Sequence, residues 1–159
     1  MTCKIPYNID GCFPFQSIQI WLKSSQGPIE VFLCPEDSEK DSSRATGFNL
    51  DGSRTYKVTL PGPIPAKNFW SFTVYDNQTR SLLPTDQKLA GVDSTLPGIL
   101  MNQDGGVTVW FGPKAPPGYE KNWVQTMPGK GYNVALRLYG PLEPWFNKTW
   151  QPDDVELVE

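Results

Sequence analysis

Apolar and polar residues alternate along much of this chain with a period of two, the repeat of a strand that buries one face. Residues 132–139 are the clearest case: Tyr132, Val134, Leu136 and Leu138 share one face, and Asn133, Ala135, Arg137 and Tyr139 the other. FWSFTVYD at 69–76 places Trp70, Phe72 and Val74 together, and Tyr56, Val58 and Leu60 alternate with Lys57 and Thr59. Near the N-terminus Ile18, Ile20 and Leu22 alternate with Gln19, Trp21 and Lys23. After Gly27-Pro28 the pattern resumes at Ile29, Val31 and Leu33, which predicts a β-hairpin. Gln103-Asp104-Gly105-Gly106 between 98–102 and 107–111 predicts a second hairpin, since Asp-Gly suits a tight turn. NWVQT at 122–126 and Val155–Val158 read as short strands, and LEPWFN at 142–147 as one helical turn. PGPIPAK at 61–67 cannot be interior strand because proline lacks a donor. Residues 81–97 read as loop with at most a short helical turn.

These elements predict an all-β chain: an antiparallel β-sandwich, jelly-roll-like, with little helix. The predicted organisation is an N-terminal hairpin segment at 1–34, a polar linker at 35–46 (PEDSEKDSSRAT) and a sandwich domain at 47–159. Fourteen glycines and sixteen prolines among 159 residues reinforce short strands and many turns over long helices.

The formal charge of −3 and scattered basic residues argue against nucleic acid or an anionic membrane as partner. With no histidine, Ser-His-Asp and Cys-His catalysis and His-ligated metal sites are excluded. No cofactor motif is present, and no metal site is expected. Cys3, Cys12 and Cys34 match no metal or redox spacing and read as reduced thiols. Asn8, Asp10, Pro6 and Pro14 break any signal-like apolar run, so the expectation is a soluble chain, cytoplasmic by default.

Chemistry concentrates at a few positions. Asp76 and Arg80 bracket the turn DNQTR beside Tyr75, either as a charged pair at a pocket rim or as ordinary turn capping. Asn102 and Asp104 carry a fragment of a calcium loop, but hairpin chemistry accounts for them without an ion. Arg137 and Tyr139 share a strand face opposite the apolar one, which lines a ligand site, meets a partner or faces solvent. Trp70, Trp110, Trp123, Trp145 and Trp150 offer flat rings for sugars or bulk for a core, with Asn122-Trp123 and Thr149-Trp150 the best local pairs for stacking.

DGSRTYKVTLPGPIPAKNFWSFTVYDNQTRSLL, NQDGGVTVWFGPKAPPGYEKNWVQT, YNVALRLYGP and TWQPDDVELV stand in that order over residues 47–159. They resemble the domain of unknown function 1214, which implies a jelly-roll-like sandwich with no established activity and, usually, an upstream 1254-type domain as partner. The residues before the match do not resemble that domain, so the expectation is that it is missing from this chain. A second stretch, SIQIWLKSSQGPIEVFLCPED at 17–37, resembles the marked-box segment of the E-two-F transcription factors, where it builds a dimerising β-sandwich.

Three functions follow. The first is a binding module for a carbohydrate or other small polar ligand, using Tyr75, Asp76, Arg80, Asn102, Asp104, Asn122, Trp123, Arg137 and Tyr139. The second is a hydrolase or lyase with Asp76 or Asp104 as acid or base and Arg137 stabilising negative charge. The third is a protein-interaction module acting through the 17–37 hairpin.

Overall fold

The computed structural model describes residues 18–21, 29–33 and 50–158. The expected linker at 35–46, the three cysteines and the turn joining the first two strands lie outside these residues. The strands are β1 (Ile18–Trp21), β2 (Ile29–Leu33), β3 (Leu50–Asp51), β4 (Thr55–Leu60), β5 (Ala66–Asp76), β6 (Gly91–Asp93), β7 (Val107–Gly112), β8 (Trp123–Gln125), β9 (Gly131–Pro141) and β10 (Glu156–Val158). Among the described residues helix is confined to one four-residue turn, α1 (Glu143–Phe146), where LEPWFN predicted it.

Two sheets form. The first runs β1-β2-β9-β5-β6, with β3 also paired to β9; the second runs β10-β4-β7-β8. The long strands β5 and β9 form the centre of the first sheet, in antiparallel register from Phe69↔Tyr139 to Asp76↔Tyr132. β1 and β2 pair antiparallel, and β2 continues the sheet by pairing with β9 from Ile29↔Leu138 to Leu33↔Val134.

Period-two patterning sends one face of each sheet into a shared interior. Trp70, Phe72, Val74, Val134, Leu136 and Leu138 come from the first sheet, and Val58, Leu60, Val107, Val109 and Phe111 from the second. The Phe72 and Phe111 rings meet edge-to-face across the interior at 5.5 Å, and Tyr56 and Tyr132 do so at 6.4 Å. These contacts make the all-β fold a two-sheet sandwich, as the alternation predicts.

Three expectations change. Residues 98–102 do not pair with β7; instead β7 lies between β4 and β8. The turn itself forms, with the Asn102 N–H donating to Gly106 O at 2.8 Å and Gly105 at φ 79°. The would-be first strand is captured elsewhere: the Asn122 amide takes both backbone groups of Leu100. Second, the expected loop at 81–97 contains β6, paired with β5 from Ser71↔Asp93 to Thr73↔Gly91. Three residues holding one apolar side chain are too short to show alternation. Third, β7 and β8 run parallel, a departure from an all-antiparallel sandwich.

β8 sits at the end of its sheet, and its open edge is covered by a side chain. The Gln125 N–H donates to Gln87 Oε1 at 2.7 Å, while Gln87 Nε2 donates to Trp123 O at 3.1 Å. One glutamine amide thus replaces a missing strand and blunts the edge against pairing with other chains.

Candidate functional site

The outward face of the first sheet gathers the residues richest in chemistry. On β5 the outward positions are Phe69, Ser71, Thr73 and Tyr75, because Trp70, Phe72 and Val74 point inward. The register sets Tyr139 opposite Phe69 and Arg137 opposite Ser71. Phe69 and Tyr139 stack with ring centroids 3.9 Å apart and planes 14° from parallel. The Arg137 guanidinium forks, donating from Nη1 to Thr73 Oγ1 at 3.0 Å and from Nη2 to the Tyr75 hydroxyl at 2.5 Å. Its central carbon also lies 5.4 Å from the Tyr75 ring centroid, within cation–π range. The planar cation is therefore held at a fixed place on the sheet.

Beside it runs a shallow groove of about 140 Å³, lined by Ser71, Thr73, Gly91, Asp93, Leu82 and Leu89 among others. Leu82 and Leu89 are 52% and 65% exposed, a large apolar surface for two loop residues. Gly91 leaves the floor of the groove clear. A Cβ there would lie 2.3 Å from Phe72 O, so the close approach of β6 to β5 requires glycine. Hydroxyls, a carboxylate and a positioned cation thus adjoin two apolar walls.

Asp76 lies at the end of β5, on the inward side and buried. Its Oδ1 accepts the N–H groups of Gln78 and Thr79, and its Oδ2 the Lys130 ammonium at 2.7 Å. The Lys130 contact, then the two N–H bonds, hold its pKa down from 3.8 to about 2. Arg80 is exposed at φ 59°, and its N–H donates to Asp76 O. Asp76 therefore closes a turn and ties the 127–131 segment to it. A carboxyl depressed in the folded state contributes stability that is present above its unfolded pKa and lost as pH falls through the folded value. The Tm should fall between about pH 4 and pH 2. Asp51, Asp104 and Glu120 are also lowered and add to the same trend. Asp76→Asn should lower the Tm at neutral pH and make that acid slope shallower, as calorimetry across this range will read. An unchanged slope would remove Asp76 from the acid response.

The other predicted positions lie elsewhere. Asp104 is exposed in the 102–106 turn, accepting from Gly62 N at 2.9 Å and Gly106 N at 3.0 Å, which lowers its pKa. Asn102 donates from Nδ2 to Thr108 Oγ1 at 3.3 Å in the same turn. Asn122 is buried, and Trp123 lies on the outward face of the second sheet, donating from Nε1 to Gly112 O. Trp70, Trp145 and Trp150 are buried, Trp150 donating from Nε1 to Pro61 O at 2.7 Å. Thus Tyr75 and Arg137 come together, Tyr139 shares their face but stacks on Phe69 at the far end of β5, Asp76 and Arg80 stand at and just beyond the end of that strand, and the remaining four lie elsewhere in the fold. Sequence reasoning missed Phe69, Ser71 and Thr73, which the alternation of β5 places on the outward face. It also missed Leu82, Leu89 and Asp93, for which the sequence carries no local signal. Among the described residues no helix is long and apolar enough to cross a membrane, and no three acidic, histidine or cysteine side chains group around a cation position.

The fold and this face define a β-sandwich protein with a polar, aromatic-edged outer surface. Residues 37–143 match the family described as protein of unknown function DUF1214, and the chain belongs to that family. Two solved structures share the fold. The VPA0106 protein from Vibrio parahaemolyticus gives a TM-score of 0.58 at 22% identity, with 71% of this chain aligned to 28% of that one. An uncharacterised protein from Burkholderia cenocepacia gives 0.50 at 16% identity, with 82% of this chain aligned to 29% of that one. This chain thus spans less than a third of either. A 30-residue stretch is 57% identical to mouse transcription factor E2F2, covering 19% of this chain and 7% of that protein.

Proposed function

We propose that this chain is a non-catalytic binding module whose ligand is a small polar molecule of the carbohydrate class, held on the outward face of β5, β9 and β6. The observation that carries this reading is Arg137, forked onto Thr73 and Tyr75 beside the groove walled by Leu82 and Leu89. A hydroxyl-rich ring offers hydrogen-bond partners for Ser71 and Asp93 beside the positive charge that Arg137 fixes, and an apolar face for the leucines or the Phe69–Tyr139 stack. The carboxylate-enzyme reading draws less support. Asp76 is held near pKa 2 with both oxygens engaged, and Asp104 is lowered by two backbone N–H groups, so neither is poised to exchange protons near neutrality.

Titration of the full chain with a panel of neutral and acidic monosaccharides, followed by NMR, tests the proposal. At least one sugar is expected to bind, with affinity falling about tenfold or more in Arg137→Ala, where a charged hydrogen-bond donor is lost, and unchanged in Asp104→Asn. Failure of every sugar to perturb this face sinks the ligand assignment, and release of a product sinks the non-catalytic one.

A second reading takes the same face as the contact surface for an upstream 1254-type domain. The observation favouring it is that the two structural neighbours extend far beyond the aligned region. Co-expression with such a domain, with Leu89→Asp as the disrupting variant, separates the two: loss of association supports the contact surface.

A further inference from the structure

The outward face of the second sheet carries a feature that the Arg137 face does not use. The register aligns one residue from each of four strands in a row: Glu156, Lys57, Trp110 and Trp123. Strands lie about 4.8 Å apart, so from Lys57 to Trp123 the row spans about 10 Å. Lys57 Nζ pairs with Glu156 Oε2 at 2.8 Å at one end, and the two indoles occupy the other. Both indoles are half-buried, because Val109, Phe111 and Val124 take the inward positions.

The two indole N–H groups differ. Trp123 Nε1 donates to Gly112 O at 2.9 Å. Trp110 Nε1 is covered and has no hydrogen-bond partner. A buried donor left unpaired is costly and needs a physical account. Its neighbour is Tyr119, whose ring centroid lies 5.4 Å away at a 49° tilt and which is itself partly exposed. Tyr119 stands in the Pro-rich turn 113–121. The bonds shaping that turn run within residues 116–122: Tyr119 N–H to Pro116 O, Gly118 N–H to Glu120 Oε1, and Asn122 N–H to Tyr119 O. The turn is tied to β7 through Asn122, whose backbone O accepts the Trp110 backbone N–H at 2.8 Å, but the Tyr119 ring itself is 38% exposed and can change rotamer with the backbone in place.

We infer that Trp110 and Trp123 form a stacking platform for a pyranose ring of an oligosaccharide, with Tyr119 as its movable cover and Trp110 Nε1 as the donor that fixes the ring. The chemistry selects this ligand class. A pyranose presents a C–H face to an indole, a rim hydroxyl oxygen to the in-plane Trp110 indole N–H that lacks an acceptor, and hydroxyls that both donate and accept to the Lys57–Glu156 pair. A nucleotide would bring phosphate to a chain of net charge −3. The platform lies on the opposite sheet from Arg137 and does not depend on the reading of that face.

The test is titration of the full chain with cellohexaose, xylohexaose and chitohexaose, watching the tryptophan indole N–H signals by ¹⁵N NMR. One of these probes is expected to shift the Trp110 indole signal saturably. Trp110→Phe keeps an aromatic ring in place but removes the donor, and should weaken binding about tenfold. Arg137→Ala should leave that binding intact. The inference is overturned if none of the three oligosaccharides moves the Trp110 signal at millimolar concentration. It is equally overturned if binding survives unchanged in both Trp110→Phe and Trp123→Ala, or if Arg137→Ala abolishes it.

Discussion

Asn122→Ala is expected to destabilise the fold by about 2–4 kcal/mol, the cost of leaving several partly buried backbone groups without partners. The side chain is buried and makes three bonds within 2.8–2.9 Å: Oδ1 accepts the Leu100 N–H, and Nδ2 donates to Leu100 O and Thr108 O. One amide therefore fixes the 98–102 segment against β7 without a ladder, as the missing hairpin strand would have done. Alanine fills less space and returns none of these bonds. Leu100 is 46% exposed and its bonds to Asn122 are only part-buried, which keeps the estimate below the full penalty for three orphaned groups. At roughly 2–4 °C per kcal/mol for a domain of this size, the Tm should drop by about 5–15 °C. Asn122→Asp makes the mechanism specific. The carboxylate keeps the Leu100 N–H bond but sets a second anionic oxygen against two carbonyls, so its pKa is raised in the fold. A raised carboxyl pKa favours the protonated folded state, so this variant should regain stability on mild acidification, above the range where Asp76 titrates. Urea titrations of both variants at two pH values decide it, and a Tm for Asn122→Ala equal to that of the parent would remove the amide's structural role.

That residue also shows where the sequence is legible and where it is not. Strands β4, β5 and β9 follow from alternation alone, because each buries every second side chain against the same interior. Arg137 and Tyr139 share the outward face for the same reason. Asn122 stands in the bend just before β8 and is buried, whereas Trp123 opens the strand on its outward face, so side by side in sequence they serve different surfaces. The identity of the inward tryptophans is less legible. Trp145 lies in the helical turn α1 and Trp150 just after it, and their packing against each other at 6.2 Å and the Trp150–Pro61 bond help hold them in the core. β6 and the parallel pairing of β8 depend on contacts distant in sequence: a glycine that admits close strand approach and a glutamine that mimics a strand. The Arg137 groove is legible in half. Its β5 and β9 members carry a repeating signal, whereas Leu82 and Leu89 arrive on a loop whose position is set by Val74, which bonds both Leu83 and Ala90.

The largest loss should come from the interior between the sheets. Phe111→Ala is expected to cost about 3–5 kcal/mol, the usual range for deleting a buried phenyl ring and leaving part of its volume empty. Phe111 is fully buried on β7 and reaches across to Phe72 of β5, edge-to-face at 5.5 Å and 75°. Those strands belong to different sheets, and Phe72 in turn meets Trp70 at 6.0 Å. The ring therefore joins the two layers as well as filling space, and removing it loosens the support under the whole outward face of β5. Two measurements separate these contributions. Urea unfolding of Phe111→Ala should shift the midpoint with little change in slope, since the same surface is exposed on unfolding. A double-mutant cycle of Phe72→Leu and Phe111→Leu should return a coupling of about 0.5–1.5 kcal/mol, the part specific to the aromatic geometry. If the two leucine substitutions are strictly additive, the sheets are held by burial alone and the edge-to-face contact contributes nothing of its own. If the coupling is present, loss of Phe111 should also broaden the NMR signals of Thr73 and Arg137, because the strand that positions the guanidinium is anchored through the ring beneath it.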